Sequence, residues 1–160
     1  MELKDTGVVW RNPKPHVWSR QAYFPSLVSL GGEELLCSMV VGQAFESADC
    51  RCWLSRSRDG GRTWEMEGRM FPQAGGAYSE ACRLTRCGDG TLAAVLFGYD
   101  RHREEEGLAN PETLGFVQTS IAVCRSADGG LTWGEPEPIA PPLVGPEFEL
   151  CCPIVELSDG

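Results

Sequence analysis

Two stretches of this sequence repeat each other without a gap. Residues 54–64 read Leu-Ser-Arg-Ser-Arg-Asp-Gly-Gly-Arg-Thr-Trp, and residues 123–133 read Val-Cys-Arg-Ser-Ala-Asp-Gly-Gly-Leu-Thr-Trp. The copies share Arg, Ser, Asp, Gly, Gly, Thr and Trp at matching places. Self-similarity of this kind indicates that one supersecondary unit is used more than once.

The repeated residue types predict a braced turn and not a catalytic centre. Ser and Asp side chains accept hydrogen bonds from turn amides, Gly adopts positive φ without strain, and Trp packs as an apolar plug. We therefore expect structural roles for ten residues: Ser57, Asp59, Gly61, Thr63, Trp64, Ser126, Asp128, Gly130, Thr132 and Trp133.

A second element begins three times, at residues 25–36, 82–93 and 152–160. Each copy is a short alternating run followed by a Gly/Asp turn, and in the first two copies an apolar run follows (residues 35–41 and 92–97). This pattern predicts β-hairpins. Helical periodicity is absent, so the sequence predicts an all-β fold built from four-stranded antiparallel units.

The pattern Ser-x-Asp-Gly-Gly-x-Thr-Trp, present twice, resembles the Asp-box, or bacterial neuraminidase repeat, of the sialidase (neuraminidase) superfamily. The resemblance implies a six-bladed β-propeller, in which residues 20–70 form blade 1, residues 78–140 form blade 2 and residues 147–160 begin blade 3. Two and a third blades cannot close a ring and remove its sheet edges. We therefore expect an N-terminal fragment whose remaining blades are missing from this chain.

Composition narrows the partners and the compartment. The net charge of −9 argues against nucleic acid, because phosphate-backbone binding needs clustered Lys and Arg. No apolar run could span a membrane and the charged N-terminus is no secretory signal, so we expect a cytoplasmic protein. The eight cysteines lack the spacing of a metal site and are expected to be buried, reduced thiols. Neither a cofactor nor a metal is predicted.

Antiparallel connectivity sorts the loops onto two rims. The hairpin turns and the Asp-box turns share one rim, and the loop 43–50 lies on the other, which the resemblance makes the active-site face. Asp49 lies on this loop, where sialidases have their general-acid aspartate. An acid needs a pKa raised by burial. A solvated loop carboxylate is the alternative interpretation.

Four further residues are candidates for substrate binding. The resemblance implies that Arg20 binds the substrate carboxylate, although Tyr23-Phe24-Pro25 stands where the family has Arg-Ile-Pro, three residues after Arg20. Glu80 and Glu149 adjoin inner-strand entries near the propeller axis and either contact sugar hydroxyls or bond to nearby backbone. Arg101 lies on a long loop that either walls the pocket or is a solvated charged face.

Two classes of function follow. The first is exo-cleavage of a terminal, sialic-acid-like sugar by the full-length protein, with the nucleophilic tyrosine, its glutamate partner and two further arginines expected beyond Gly160. The second is a non-catalytic Asp-box propeller that binds a glycan or a protein. A glycosidase of another substrate class on the same fold is a third possibility.

Overall fold

A computed structural model describes Glu2, residues 5–140 and residues 152–158. These residues form eight strands and no helix: β1 (Gln21–Gly31), β2 (Glu34–Gly42), β3 (Arg51–Ser57), β4 (Glu65–Arg69), β5 (Tyr78–Arg86), β6 (Leu92–Asp100), β7 (Thr119–Ser126) and β8 (Glu137–Pro138). The predicted all-β class is therefore confirmed. No helix within the described part of the chain is long and apolar enough to cross a membrane.

The strands form two antiparallel four-stranded sheets with the same connectivity. The first sheet has the order β1-β2-β3-β4 and the second sheet has the order β5-β6-β7-β8. In the second sheet, β5 pairs with β6 over an unbroken register from Tyr78 opposite Asp100 to Arg86 opposite Leu92. The predicted apolar runs 35–41 and 92–97 lie within β2 and β6, as hairpin patterning requires.

The hydrophobic core lies between the two sheets. One face of the first sheet supplies Val28, Leu36 and Leu54, and the second sheet packs Leu84 and Leu92 against them, all 8% exposed or less. Close packing of these side chains fixes the second sheet on the first. The opposite face of the first sheet is covered by Val9 and Trp10 of the N-terminal segment, which pack against residues 37–41.

Five of the described cysteines, Cys37, Cys50, Cys52, Cys82 and Cys124, are buried in these layers, and none is in a disulfide. Burial raises the pKa of Cys37 to about 11 and that of Cys124 to about 12, so both thiols stay neutral. Among the residues that the structure describes, no cluster of three or more His, Cys, Asp or Glu is arranged to hold a metal ion.

The two turns that resemble Asp-boxes, called Asp-box turns below, share the hydrogen bonds among their Ser, Asp, Gly and Thr residues. In the first, the Ser57 hydroxyl donates to Asp59 at 2.8 Å and accepts from the Gly61 amide at 2.8 Å. The Asp59 carboxylate also accepts from the Thr63 amide at 2.8 Å and the Thr63 hydroxyl at 2.6 Å. These bonds, led by those from Thr63, lower the pKa of Asp59 to about 2. Each box turn is thus closed by an ionised carboxylate.

The second box repeats this geometry. The Ser126 hydroxyl donates to Asp128 at 2.7 Å and accepts from the Gly130 amide at 2.8 Å, while the Thr132 amide donates to Asp128 at 2.9 Å. The Asp128 pKa is lowered, chiefly by its bond from the Thr132 hydroxyl. Trp64 is half-buried against Met66 and the apolar residues of β2. Trp133 packs against the core between the sheets.

The two Asp-box turns differ in how tightly the second of their two adjacent glycines, Gly61 or Gly130, is packed. Gly61 and Gly130 have similar positive φ angles, 89° and 86°. A Cβ on Gly130 would lie 2.5 Å from Leu36 Cδ2, whereas one on Gly61 would lie 3.4 Å from Leu35 Cδ1. The second Asp-box turn therefore packs on the first sheet. Position 130 requires glycine both because its φ is positive and because a Cβ would clash with Leu36.

Replacing Gly130 by alanine is expected to lower the free energy of unfolding by about 3 kcal/mol, the sum of left-handed backbone strain and overpacking. The matched variant Gly61→Ala should lose only the strain, about 1 to 2 kcal/mol. Urea unfolding followed by tryptophan fluorescence measures both. An equal loss in the two variants would show that the Leu36 contact has no energetic weight.

The third copy of the hairpin element is only partly described. Residues 152–158 form no strand. This segment lies against the second sheet, where the Ile154 carbonyl accepts from the Thr85 hydroxyl at 2.6 Å and Glu156 accepts from the Gly88 amide at 2.5 Å.

Candidate functional site

The connectivity places two kinds of loop at opposite ends of the sheets. The β1–β2 turn and the first Asp-box turn share one end, where the Gly60 amide donates to the Glu33 carbonyl at 2.8 Å. The loop 43–50, the link 70–77 and the loop 101–118 share the other end, which we call the loop rim. Two of these loops are tied together, because Glu46 Oε2 accepts from the Leu108 amide at 2.9 Å.

Asp49 is held in a fixed orientation within the loop 43–50. Its Oδ1 accepts from the Ser47 hydroxyl at 2.6 Å and from the Gln43 amide at 3.0 Å. Its Oδ2 lies 3.8 Å from the Arg20 guanidinium, and both side chains are partly exposed. The structure thus brings together two residues that the sequence analysis placed at the same rim.

The electrostatics of Asp49 differ from those expected of a resting general acid. Partial burial acts to raise its pKa, but the hydrogen bonds from Ser47 and Gln43 and the charge of Arg20 outweigh burial and leave the pKa below its usual value. Asp49 is therefore a carboxylate at neutral pH in this state. An acid role requires a change that raises the pKa of Asp49, such as loss of a hydrogen bond, loss of the Arg20 charge or deeper burial.

Glu80 is the buried carboxylate of the loop rim. Its Oε2 accepts from the Cys52 amide at 3.0 Å, and its own amide donates to the Cys50 carbonyl at 3.0 Å. Its Oε1 lies 3.8 Å from Arg51 Nε and 3.7 Å from Arg69 Nη2, outside hydrogen-bonding distance. Burial raises the Glu80 pKa, opposed by the Cys52 amide and by the two arginines.

A cavity of about 580 Å³ opens beside Glu80, between the two sheets and under the link 70–77. The face of β5 that carries Glu80 and Cys82 also packs on the first sheet, so Glu80 faces this inter-sheet cavity. Tyr78 lines the cavity, and its ring lies 5.2 Å from the Arg51 guanidinium carbon. A smaller cavity of about 340 Å³ shares Tyr78, Gly98 and Ser120 with it.

Arg101 is buried and bonds to its own loop. It is 2% exposed, and its Nη2 donates to the carbonyls of Glu104 at 3.3 Å and Glu106 at 2.9 Å. Its amide donates to the Ala77 carbonyl at 2.8 Å, which joins the loop 101–118 to the link 70–77. In this state the Arg101 guanidinium bonds to carbonyls of its own loop and is not exposed to a ligand. Glu149 lies outside the described residues.

An aromatic corner beside Arg20 went unnoticed in the sequence. Phe24 has a positive φ of 50°, at an irregularity in the pairing of β1 with β2, and its ring lies 5.1 Å from that of Phe45. Tyr23 meets Phe45 edge to face at 5.4 Å, and the Arg83 guanidinium lies 5.5 Å from the Phe24 ring. Positive φ on a bulky residue is costly and clusters at functional sites. The sequence signal was an aromatic pair at the start of an inner strand.

Comparison with known proteins gives likenesses of structure. A Hadza microbial sialidase, Hz136, matches with a TM-score of 0.57 at 21% identity, over 73% of this chain and 25% of its own. A protein of unknown function from Dyadobacter fermentans DSM 18053 matches with a TM-score of 0.59 at 24% identity, over 88% of this chain and 40% of its own. No protein-family model and no curated protein matches the chain. The chain thus spans a quarter and two fifths of the two solved structures, and what it shares with them is a sialidase-like all-β fold.

Proposed function

We propose that this chain forms the first blades of a six-bladed, sialidase-like glycoside hydrolase that removes a terminal, acidic sugar. The observation that carries the proposal is the Arg20–Asp49 pair, a guanidinium 3.8 Å from a carboxylate that two hydrogen bonds hold in place at the loop rim. Asp49 is the general acid, and Arg20 binds the carboxylate of the substrate. The fold likeness to a sialidase supports the substrate class.

The pair suggests how substrate binding switches Asp49 on. A substrate carboxylate that engages Arg20 offsets the positive charge beside Asp49, and the bound sugar excludes water from a side chain that is already partly buried. Both changes raise the pKa of Asp49 and favour uptake of a proton. Asp49 then gives this proton to the glycosidic oxygen as the bond from that oxygen to the sugar breaks, and the nucleophile comes from a blade outside this chain.

The test is hydrolysis of a fluorogenic α-sialoside by the chain produced together with its downstream coding sequence. We expect release of the fluorophore, and we expect Arg20→Met to raise KM for the acidic substrate because the carboxylate loses its guanidinium partner. A fluorogenic β-galactoside is the matched neutral substrate. Turnover of the neutral substrate alone would assign the protein to a glycosidase of another substrate class.

A non-catalytic propeller that binds a glycan is the second candidate. It is favoured by the lowered pKa of Asp49 and by the aromatic residues Tyr23 and Phe24 at the position of the family's arginine signature. It predicts glycan binding without turnover. Hydrolysis of any fluorogenic glycoside, lost on replacement of rim residues, would exclude it.

A further inference from the structure

The inter-sheet cavity has walls from both sheets and from the link between them. Its lining comprises Cys52, the link residues 71–74, β5 residues including Glu80, and residues of β6 and β7 such as Leu96, Ser120 and Ala122. A volume of about 580 Å³ falls in the range of small-molecule pockets. Because the first and second sheets supply opposite walls, the cavity is a property of the contact between them and not of an exposed sheet edge.

The polar end of the cavity has capacity for hydrogen bonds that the protein does not use. Glu80 Oε1 lies 3.7 Å and 3.8 Å from two arginine nitrogens, too far for direct bonds, and the Tyr78 side chain forms a hydrogen bond with Glu80. The Nε of Arg69 is buried and has no hydrogen-bond partner among the described residues. A buried donor left unpaired costs about 1–3 kcal/mol. Arg69 lies beside Glu80 but does not line the cavity, so an inserted hydroxyl would bond to the Glu80 carboxylate, which can accept more bonds than the Cys52 amide and Tyr78 supply.

Charge at this end selects a neutral ligand. Glu80 and Glu135 line the cavity, and Arg51 and Arg69, which do not line it, lie 3.8 Å and 3.7 Å from Glu80 Oε1 and offset its charge. Arg51 is further fixed by bonds to the carbonyls of Ala48 at 2.9 Å and Cys50 at 2.8 Å. An added anion would face the two carboxylates, and an added cation would gain little from Glu80, whose charge the two guanidinium groups already offset.

The remaining walls are apolar and suit the C–H face of a sugar ring. They include Phe71, Pro72, Leu96, Ala122 and Pro136. A pyranose presents hydroxyls at its edge and C–H groups on its faces, which matches one polar end and several apolar walls. A fully apolar ligand would leave the Glu80 end without partners.

We propose that the inter-sheet cavity binds a neutral sugar residue, whose hydroxyls bond to the carboxylate of Glu80. The site is separate from the Arg20–Asp49 pair but close to it along the chain, since the Glu80 amide bonds to the carbonyl of Cys50, the residue after Asp49. The choice of a sugar as ligand rests on the proposed carbohydrate function; the existence of the site rests on the cavity alone.

Saturation-transfer NMR on the protein produced with its downstream coding sequence, with methyl β-galactoside, methyl β-glucoside and methyl β-N-acetylglucosaminide as probes, tests the site. We expect at least one probe to bind at millimolar concentration and Ala122→Phe, which fills the cavity, to abolish its signal. Glu80→Gln should weaken binding about tenfold by replacing a charged acceptor. Glu112→Gln, an exposed glutamate elsewhere on the chain, is the matched control and should change nothing.

The outcomes separate this site from the proposed hydrolase. Asp49→Asn should leave binding of the neutral probes unchanged while greatly lowering turnover of the sialoside. In the unsubstituted protein, probe binding without hydrolysis would remove the proposed hydrolase and leave the cavity site, and hydrolysis without probe binding would do the reverse. Circular dichroism of Ala122→Phe and Glu80→Gln checks that both variants remain folded. No saturation transfer from any probe, transfer unaffected by Ala122→Phe in a folded variant, or stronger transfer to glucuronic acid than to the neutral glycosides would overturn the proposal.

Discussion

Replacing Arg56 by methionine is expected to lower the free energy of unfolding by about 3 kcal/mol, the scale on which loss of one partner of a buried ion pair acts. Methionine keeps much of the side-chain volume, so the loss reports hydrogen bonds and charge more than a cavity. Urea unfolding monitored by tryptophan fluorescence measures the change. We expect a lower urea concentration at the midpoint of unfolding and an unchanged dependence of the free energy on urea. This result would show that stability falls while unfolding stays cooperative.

The size of this effect follows from the contacts of Arg56. The side chain is 2% exposed and forms ion pairs with Glu67 and, at 3.0 Å, with Glu34. Its Nη2 also donates to the Gly129 carbonyl at 2.9 Å, in the Asp-box turn of the second sheet. One guanidinium therefore joins β3 to its neighbouring strands and to the next repeat.

Arg125 provides the control, because it occupies the same place in the second repeat and is exposed. Arg125→Met is expected to change the free energy of unfolding by less than about 0.5 kcal/mol, as most surface substitutions do. If Arg56→Met and Arg125→Met lowered the free energy of unfolding equally, each arginine would act within its own repeat. The bond from Arg56 to Gly129 would then contribute little to stability.

The sequence was a good guide to the local fold because turns and hairpins are encoded locally. The Asp-box residues repeat at fixed spacing, and their bonds span at most four positions along the chain, so chemistry alone predicted the turn. The role of Arg56 was not predictable in this way. The sequence showed that Arg occupies the same position in both repeats. It did not show that Arg56 bonds to Gly129, which lies 73 positions away in the Asp-box turn of the other sheet.

The sequence predicted where the candidate site lies better than it predicted the protonation and contacts of its residues. Antiparallel connectivity placed Asp49 and Arg20 at one rim, and the structure joins them. Whether a carboxylate is poised as an acid depends on the balance of burial, hydrogen bonds and charge, which needs coordinates. Glu80 was predicted to contact sugar hydroxyls or to bond to nearby backbone, and the packing of β5 on the first sheet, which places it beside a cavity, was not visible in the sequence. Arg101 looked exposed because its neighbours are charged, yet its guanidinium satisfies loop carbonyls.

Asp49→Asn, in the protein produced with its downstream coding sequence, is expected to lower kcat for a fluorogenic sialoside by about 10²- to 10⁴-fold, the usual contribution of a general acid. Asparagine keeps an oxygen that can accept from Ser47 and from the Gln43 amide, so the loop 43–50 should hold its shape. The control Asp100→Asn removes a rim carboxylate that bonds to His102 at 2.7 Å and should change kcat by less than about twofold.

The pH dependence distinguishes an acid from a residue that only holds the loop. In the free protein the pKa of Asp49 is lowered, so kcat/KM should fall as pH rises through that low value. In the substrate complex the neutralisation of Arg20 raises the pKa, so kcat should fall at a higher pH than kcat/KM does. A general acid is active when protonated. In Asp49→Asn, the fall with rising pH should therefore disappear from both the kcat/KM profile and the kcat profile. Unchanged turnover in Asp49→Asn, or a kcat profile that keeps its basic limb, would remove Asp49 from the chemistry and leave its carboxylate as a brace for the loop 43–50.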